Sequence, residues 1–172
     1  MNKLRIKKKL QLSQICRLLP TAKDRELSGY ITPTYIYYED GSNCDCRPDW
    51  NKATSFHTHP TNLITVPSES DIYHFLKQTG SQSHLIACFR HAWILHHTQK
   101  SRVIGKQIDK INSEKVEKRL RSVDYSFSRY FANILKPYGF REPKTDNITL
   151  YITNLRKQIE KLGIEVEIIR TQ

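Results

Sequence analysis

The chain has no apolar run approaching the roughly 20 residues that a helix needs to span a bilayer. Cysteine is scarce: Cys16, Cys44, Cys46 and Cys88 are too few for a disulfide scaffold, and a reducing compartment suits them. Glycine and proline are few, at six and seven, and neither an internal repeat nor a low-complexity linker interrupts the 172 residues. The N-terminal "MNKLRIKKKLQLSQICRLL" is basic but has no continuous apolar core and no small-residue cleavage site, which makes it a poor signal peptide. The expectation is a soluble, intracellular protein, cytoplasmic or nuclear, with no membrane partner. The length suits one domain with a real core and is short for two.

Negative charge is also in deficit. Twenty-eight Lys and Arg against seventeen Asp and Glu give a formal charge of +11. Residues 1–23 hold seven basic residues and no acid, and "KSRVIGKQIDKINSEKVEKRLR" holds a second surplus. Such a balance attracts anions and favours non-specific nucleic-acid binding. No RNP-like, zinc-knuckle or helix-turn-helix pattern accompanies it, so nucleic acid is a weak partner expectation and a solvated basic surface is the simpler one.

The pattern along the chain predicts an α/β (α+β) protein, a mixed β-sheet flanked by helices with a C-terminal helical extension. "LRIKKK" reads as a strand, then "LQLSQICRLL" as a helix with Leu12, Ile15, Leu18 and Leu19 on one face, ended by Pro20. "YITPTYIYYEDG" is rich in aromatic and β-branched residues and closes on an Asp-Gly turn dipeptide. "KATSFHTH" is a short strand, "VPSESDIYHFLKQTG" a helix opening at the Pro-Ser boundary, and "SHLIACF" and "AWILHH" two strands joined through Arg90-His91. Beyond residue 100, Val116, Leu120, Val123, Phe127, Tyr130, Phe131 and Ile134 recur at helical steps from Ser113. A second helix runs from a cap at Asp146 to Gly163, and "IEVEII" alternates as a last strand. Residues 1–100 are therefore expected to form the core, and 101–172 an extension of two helices and a strand packed on the same domain.

The chemistry concentrates in "SFHTHPTNLITVPSESD". Residues i and i+2 of a strand share a face, so His57 and His59 present two imidazoles side by side, and Pro60 ends the strand there. Asp71 lies near the start of the next helix, where a short side chain can turn back. Two histidines and one aspartate give a zinc ion three ligands and leave a fourth position for water, the pattern of catalytic sites. Such a water has its pKa lowered to about 7. The bland reading stands beside it: Ser68-x-x-Asp71 is also a helix capping pattern. One serine can do both.

His-x-His-Pro followed by Pro-Ser-x-x-Asp resembles the signature of the JAB/MPN/Mov34, or JAMM, metalloproteases, zinc isopeptidases that include deubiquitinases. The family also carries a Glu-x-x-Gly running into a strand, and "ELSGYI" stands in the corresponding place, after a helix and ahead of a strand. The resemblance covers roughly residues 4–97 and implies an MPN/JAB-like fold. It implies that His57, His59 and Asp71 hold Zn²⁺, that Glu26 is first general base and then general acid, and that Ser68 donates a hydrogen bond to the oxyanion. The implied substrate is an amide or isopeptide bond at the C-terminus of ubiquitin or a ubiquitin-like modifier.

Two features depart from the family. The gap from His59 to Asp71 is one residue longer, inside "TNLITVP", and Pro33 stands where the family has a second glycine, which reshapes a wall of the groove if proline lies at a strand edge. Glu39, at what reads as a hairpin tip, is the fallback base. Cys44-x-Cys46 is a weak candidate for a second metal. His74, His84, His91, His96 and His97 have no convincing ligand spacing and are assigned structural or surface roles, with the adjacent His96 and His97 facing opposite ways. Trp50 and Trp93 are assigned to packing. Zinc deaminase chemistry requires His-x-Glu with Cys-x-x-Cys, and both are missing. The alternatives to a hydrolase are a non-catalytic MPN-type scaffold and a nucleic-acid-associated, DNA-repair-like protein.

Overall fold

A computed structural model of the chain describes residues 1–6, 10–19, 24–40, 54–60, 66–78, 80–88, 90–119 and 127–171, without the side chains of 111–119 and 127–130. The architecture is α/β, as the pattern predicts. Seven strands make one sheet: β1 (Asn2–Arg5), β2 (Leu27–Ile31), β3 (Tyr35–Asp40), β4 (Thr54–Thr58), β5 (Ser83–Ala87), β6 (His91–His97) and β7 (Ile164–Arg170), in the order β1-β3-β2-β4-β5-β6-β7. The described pairings are antiparallel except β4 with β5, which run parallel. A parallel pair needs a crossover connection, and the helix α2 (Glu69–Lys77) lies in it.

Packing divides the chain into two compact units. The first comprises residues 1–66, 80–96 and 167–172. One face of its strands gives Ile36, Phe56, Leu85, Ala87, Ala92 and Ile94 to a buried cluster with Ile6 and with Ile15, Cys16 and Leu19 from the segment around α1 (Leu12–Ile15). That face alternates with the one carrying His57, as the two-residue period of a strand requires. The helical turn is shorter than its sequence pattern. After Ile15 the chain tightens into i→i−3 bonds, with Arg17 N–H donating to Gln14 O and Leu18 N–H to Ile15 O. The tighter winding swings Leu18 off the apolar face, and it is exposed while Leu19 is buried.

The aromatic stretch forms a hairpin of β2 and β3 that turns at 32–34; Asp40 ends β3, and Gly41, the other half of the expected turn dipeptide, lies outside the described residues. Thr32 closes the turn: its hydroxyl donates to Tyr35 O, and Tyr35 N–H donates to its Oγ1, both at 3.0 Å. Pro33 therefore sits in a turn, outside both strands, and deprives the ladder of no donor. Glu39 lies inside β3, opposite Ser28, and is not at a hairpin tip. Gly29 is required by close approach, since a Cβ there would lie 1.8 Å from the Tyr37 carbonyl oxygen. Trp93 is fully buried, as a packing role demands.

The second unit comprises residues 67–79 and 97–166. Beyond α2 it contains α3 (Gln99–Arg119), α4 (Phe127–Leu135), a 3₁₀ turn (Lys136–Tyr138) and α5 (Ile148–Lys161). Its buried side chains include Ile72, Phe75 and Leu76 of α2, Ile104 and Ile108 of α3, Phe131 and Leu135 of α4, and Leu155 and Ile159 of α5. The helix expected from Ser113 begins instead at Gln99, and residues 120–126, which the expected stripe crosses, lie outside the described residues. The early start has a local cause: Thr98 N–H donates to Ser101 Oγ and Ser101 N–H to Thr98 Oγ1, a reciprocal cap. The cap of α5 is Asn147 rather than Asp146, its side chain accepting from Leu150 N–H at 3.1 Å. Gly163 follows that helix at φ 74°, the left-handed residue its C-terminus needs.

Candidate metal centre

Strand β4 reads Thr-Ser-Phe-His-Thr and presents Ser55 and His57 on one side. His59 follows one residue beyond the strand and stays in its register because its N–H donates to Ala87 O at 2.8 Å. Both imidazoles are buried, and their Nε2 atoms stand 3.0 Å apart. Two nitrogen lone pairs at that distance repel unless something positive lies between them, either a proton carried by one ring or a cation shared by both. Two nitrogens each 2.0–2.1 Å from a tetrahedral zinc ion lie about 3.3 Å apart. The pair is within a few tenths of an ångström of a chelating geometry.

Asp71 sits in the first turn of α2, behind its cap Ser68. Ser68 N–H and Ser68 Oγ–H both donate to Asp71 Oδ2, at 2.7 and 2.8 Å, and Asp71 N–H donates to Ser68 Oγ at 3.2 Å. The capping reading of Ser-x-x-Asp is thus realised in full. The candidate ligand atoms of His57, His59 and Asp71 lie within 4.8 Å of one another, so these three residues could hold a metal ion. Among the described residues no other group of three His, Cys, Asp or Glu side chains does so. The donor set, two imidazoles and one carboxylate, suits zinc and other first-row divalent ions.

Glu26 is half-buried and immediately precedes β2. Leu27 pairs with Thr58 and Ser28 with His57, and the ladder ends at Leu27, one residue after Glu26. Leu27 N–H is tied to Thr58 Oγ1 at 3.1 Å, which anchors the strand at that end. Cys44 and Cys46 lie outside the described residues, as do Trp50 and most of the "TNLITVP" segment.

His84, assigned a structural or surface role from its spacing, proves to be a neighbour of His57. It is fully buried on β5, its Nε2 lies 2.8 Å from His57 Nδ1, and its Nδ1 lies 2.8 Å from Ser55 Oγ. The rings of His57 and His84 stack at 5.0 Å between centroids. Cys88 Sγ stands 4.0 Å from His59 Nδ1 at the other end. The one available signal was a histidine inside the otherwise apolar "HLIACF"; the pairing of β5 with β4 is long-range and invisible to spacing. Two other histidines bond elsewhere: His96 Nδ1 meets Ser83 Oγ at 2.7 Å and His97 Nδ1 meets Ser101 Oγ at 3.0 Å.

No helix among the described residues is long and apolar enough to cross a membrane. No protein-family model, curated protein or solved structure matches the chain.

Proposed function

We propose that the chain is a zinc-dependent isopeptidase of the JAMM type, hydrolysing an amide or isopeptide bond at the C-terminus of ubiquitin or a ubiquitin-like modifier. The observation that carries this reading is the 3.0 Å approach of the His57 and His59 Nε2 atoms in a group completed by Asp71. Those three residues would hold the zinc. When bound, the ion would polarise a carbonyl and make a coordinated water acidic near neutral pH. Glu26, at the head of β2, would accept a proton from the attacking water and return it to the departing amine. The Ser68 hydroxyl would exchange its bond to Asp71 Oδ2 for one to the developing oxyanion. An extended modifier tail would add as a strand beside the groove, the mode that gives main-chain affinity with side-chain specificity.

The test is incubation with ubiquitin chains of several linkages, with and without chelator, for the native chain and Glu26→Gln. The expected result is chelator-sensitive cleavage by the native chain and none by Glu26→Gln, with zinc retained in both. Normal cleavage by Glu26→Gln would remove Glu26 from the base's role. A chain that carries no stoichiometric metal after chelator-free purification would favour a non-catalytic scaffold. The formal charge of +11 supports a second reading, a nucleic-acid-associated protein. Salt-dependent DNA binding without any peptidase activity would favour it.

A further inference from the structure

His84 brings a polar, two-nitrogen ring into a fully buried position on β5, where an aliphatic side chain would fill space without needing partners. A buried polar group is costly unless bonded, and His84 is bonded at both nitrogens. Its partners are Ser55, its register neighbour on β4, and His57. Together with His59 and Cys88 they form one buried file: Ser55, His84, His57, His59, Cys88.

We propose that His84, backed by Ser55, is a positioning residue that fixes the tautomer and ring orientation of His57 for metal binding. This rests on the metal-centre reading above. A neutral imidazole carries one N–H. For His57 to offer its Nε2 lone pair to a cation, the proton must sit on Nδ1 and be donated to His84 Nε2. That fills the acceptor nitrogen of His84, whose own proton must then sit on Nδ1 and be donated to Ser55 Oγ. With a cation on His57 Nε2, the Ser55–His84–His57 bonds are satisfied with the proton of each ring on Nδ1.

Without a cation, the 3.0 Å gap between His57 and His59 needs one proton on one of the two Nε2 atoms. The file can meet this in two ways, running from Ser55 towards Cys88 or from Cys88 towards Ser55. Cation binding removes that choice. His57, His59 and His84 then all hold a proton on Nδ1, which needs only a shift of protons between nitrogens of the same rings. Partners that orient a ligating histidine are typically worth 10–100-fold in metal affinity.

The experiment measures zinc affinity by competition with a chromophoric chelator for the native chain, His84→Ala and His84→Gln, with circular dichroism as the check on folding. Side-chain ¹⁵N NMR of the zinc-loaded native chain reads the tautomers directly and needs no variant. The expected results are a 10–100-fold loss for His84→Ala, recovery of part of it in His84→Gln, whose amide oxygen can accept from His57 Nδ1, and an Nδ1–H tautomer for both His57 and His84. A folded His84→Ala with native zinc affinity would overturn the proposal, as would an Nε2–H tautomer of His84 in the loaded protein. Either result leaves the metal centre standing. A native chain that takes up no zinc overturns both.

Discussion

Ser68 and Asp71 cap the N-terminus of α2 reciprocally, each offering its backbone N–H to the other's side chain, at 2.7 Å towards Asp71 Oδ2 and 3.2 Å towards Ser68 Oγ. The cap holds the carboxylate of Asp71 in a set orientation at the start of the helix. In the proposed centre the same bonds that stabilise α2 would orient a ligand before any metal arrives.

Two substitutions separate these duties. Ser68→Ala removes the hydroxyl acceptor and should lower stability by about 1 kcal/mol in urea denaturation. Asp71→Asn retains an oxygen for the Ser68 N–H but loses the charge that favours a helix N-terminus, so its stability should fall by about 0.3–1 kcal/mol. The larger effect of Asp71→Asn should be on zinc affinity, with a fall of at least tenfold in chelator competition. Unchanged affinity would make Asp71 a cap and nothing more.

Gly29 tests the sheet beneath the site. The Cβ of an alanine would lie 1.8 Å from Tyr37 O, with the Tyr38 Cα 2.9 Å away, and both obstacles are backbone. Relief requires parting β2 from β3, so Gly29→Ala should destabilise by about 3 kcal/mol or more, beyond the usual range for overpacking. A urea midpoint within experimental error of the native value would contradict the close approach.

The legible parts of this molecule were local. The i, i+2 spacing of His57 and His59 and the Ser-x-x-Asp cap could be read because strand and helix periods act over a few residues. Leu18 and Asp146 were misplaced by details of winding and capping that propensity does not resolve: an i→i−3 turn in one case, a neighbouring asparagine with better reach in the other. The start of α3 was missed because a Thr-x-x-Ser cap is a quieter signal than one with an acid. His84 was out of reach for a different reason. Its meaning depends on β5 lying parallel to β4, a pairing set by the whole sheet.

Cys16 bears on how the thiols should behave. Burial raises its pKa to about 12, and the charge of Glu167 adds to the effect. The thiolate is the nucleophile, so Cys16 should resist alkylation in the folded chain. Peptide mapping after iodoacetamide treatment at pH 8 should find it unmodified under native conditions and fully modified in urea. Ready labelling of native Cys16 would mean that α1 opens far more often than its buried face suggests.

His97 should give the chain a pH-dependent stability away from the metal site. Its ring stacks on Phe75 at 4.0 Å between centroids, and burial, followed by the positive charge of Arg102, lowers its pKa from 6.5 to about 4. Because the folded value lies below the unfolded one, the neutral form stabilises the fold above pH 6.5. As pH falls from there towards 4, the unfolded chain binds a proton that the folded chain refuses, and stability drops. His91, lowered first by burial and then by Arg170 and Arg90, adds to the same trend. Thermal midpoints of the native chain should therefore decline between pH 6.5 and 4, and His97→Phe, which keeps an aromatic ring against Phe75 but cannot be protonated, should decline less over that interval. Parallel curves for the two proteins would show that His97 is as easily protonated in the fold as out of it.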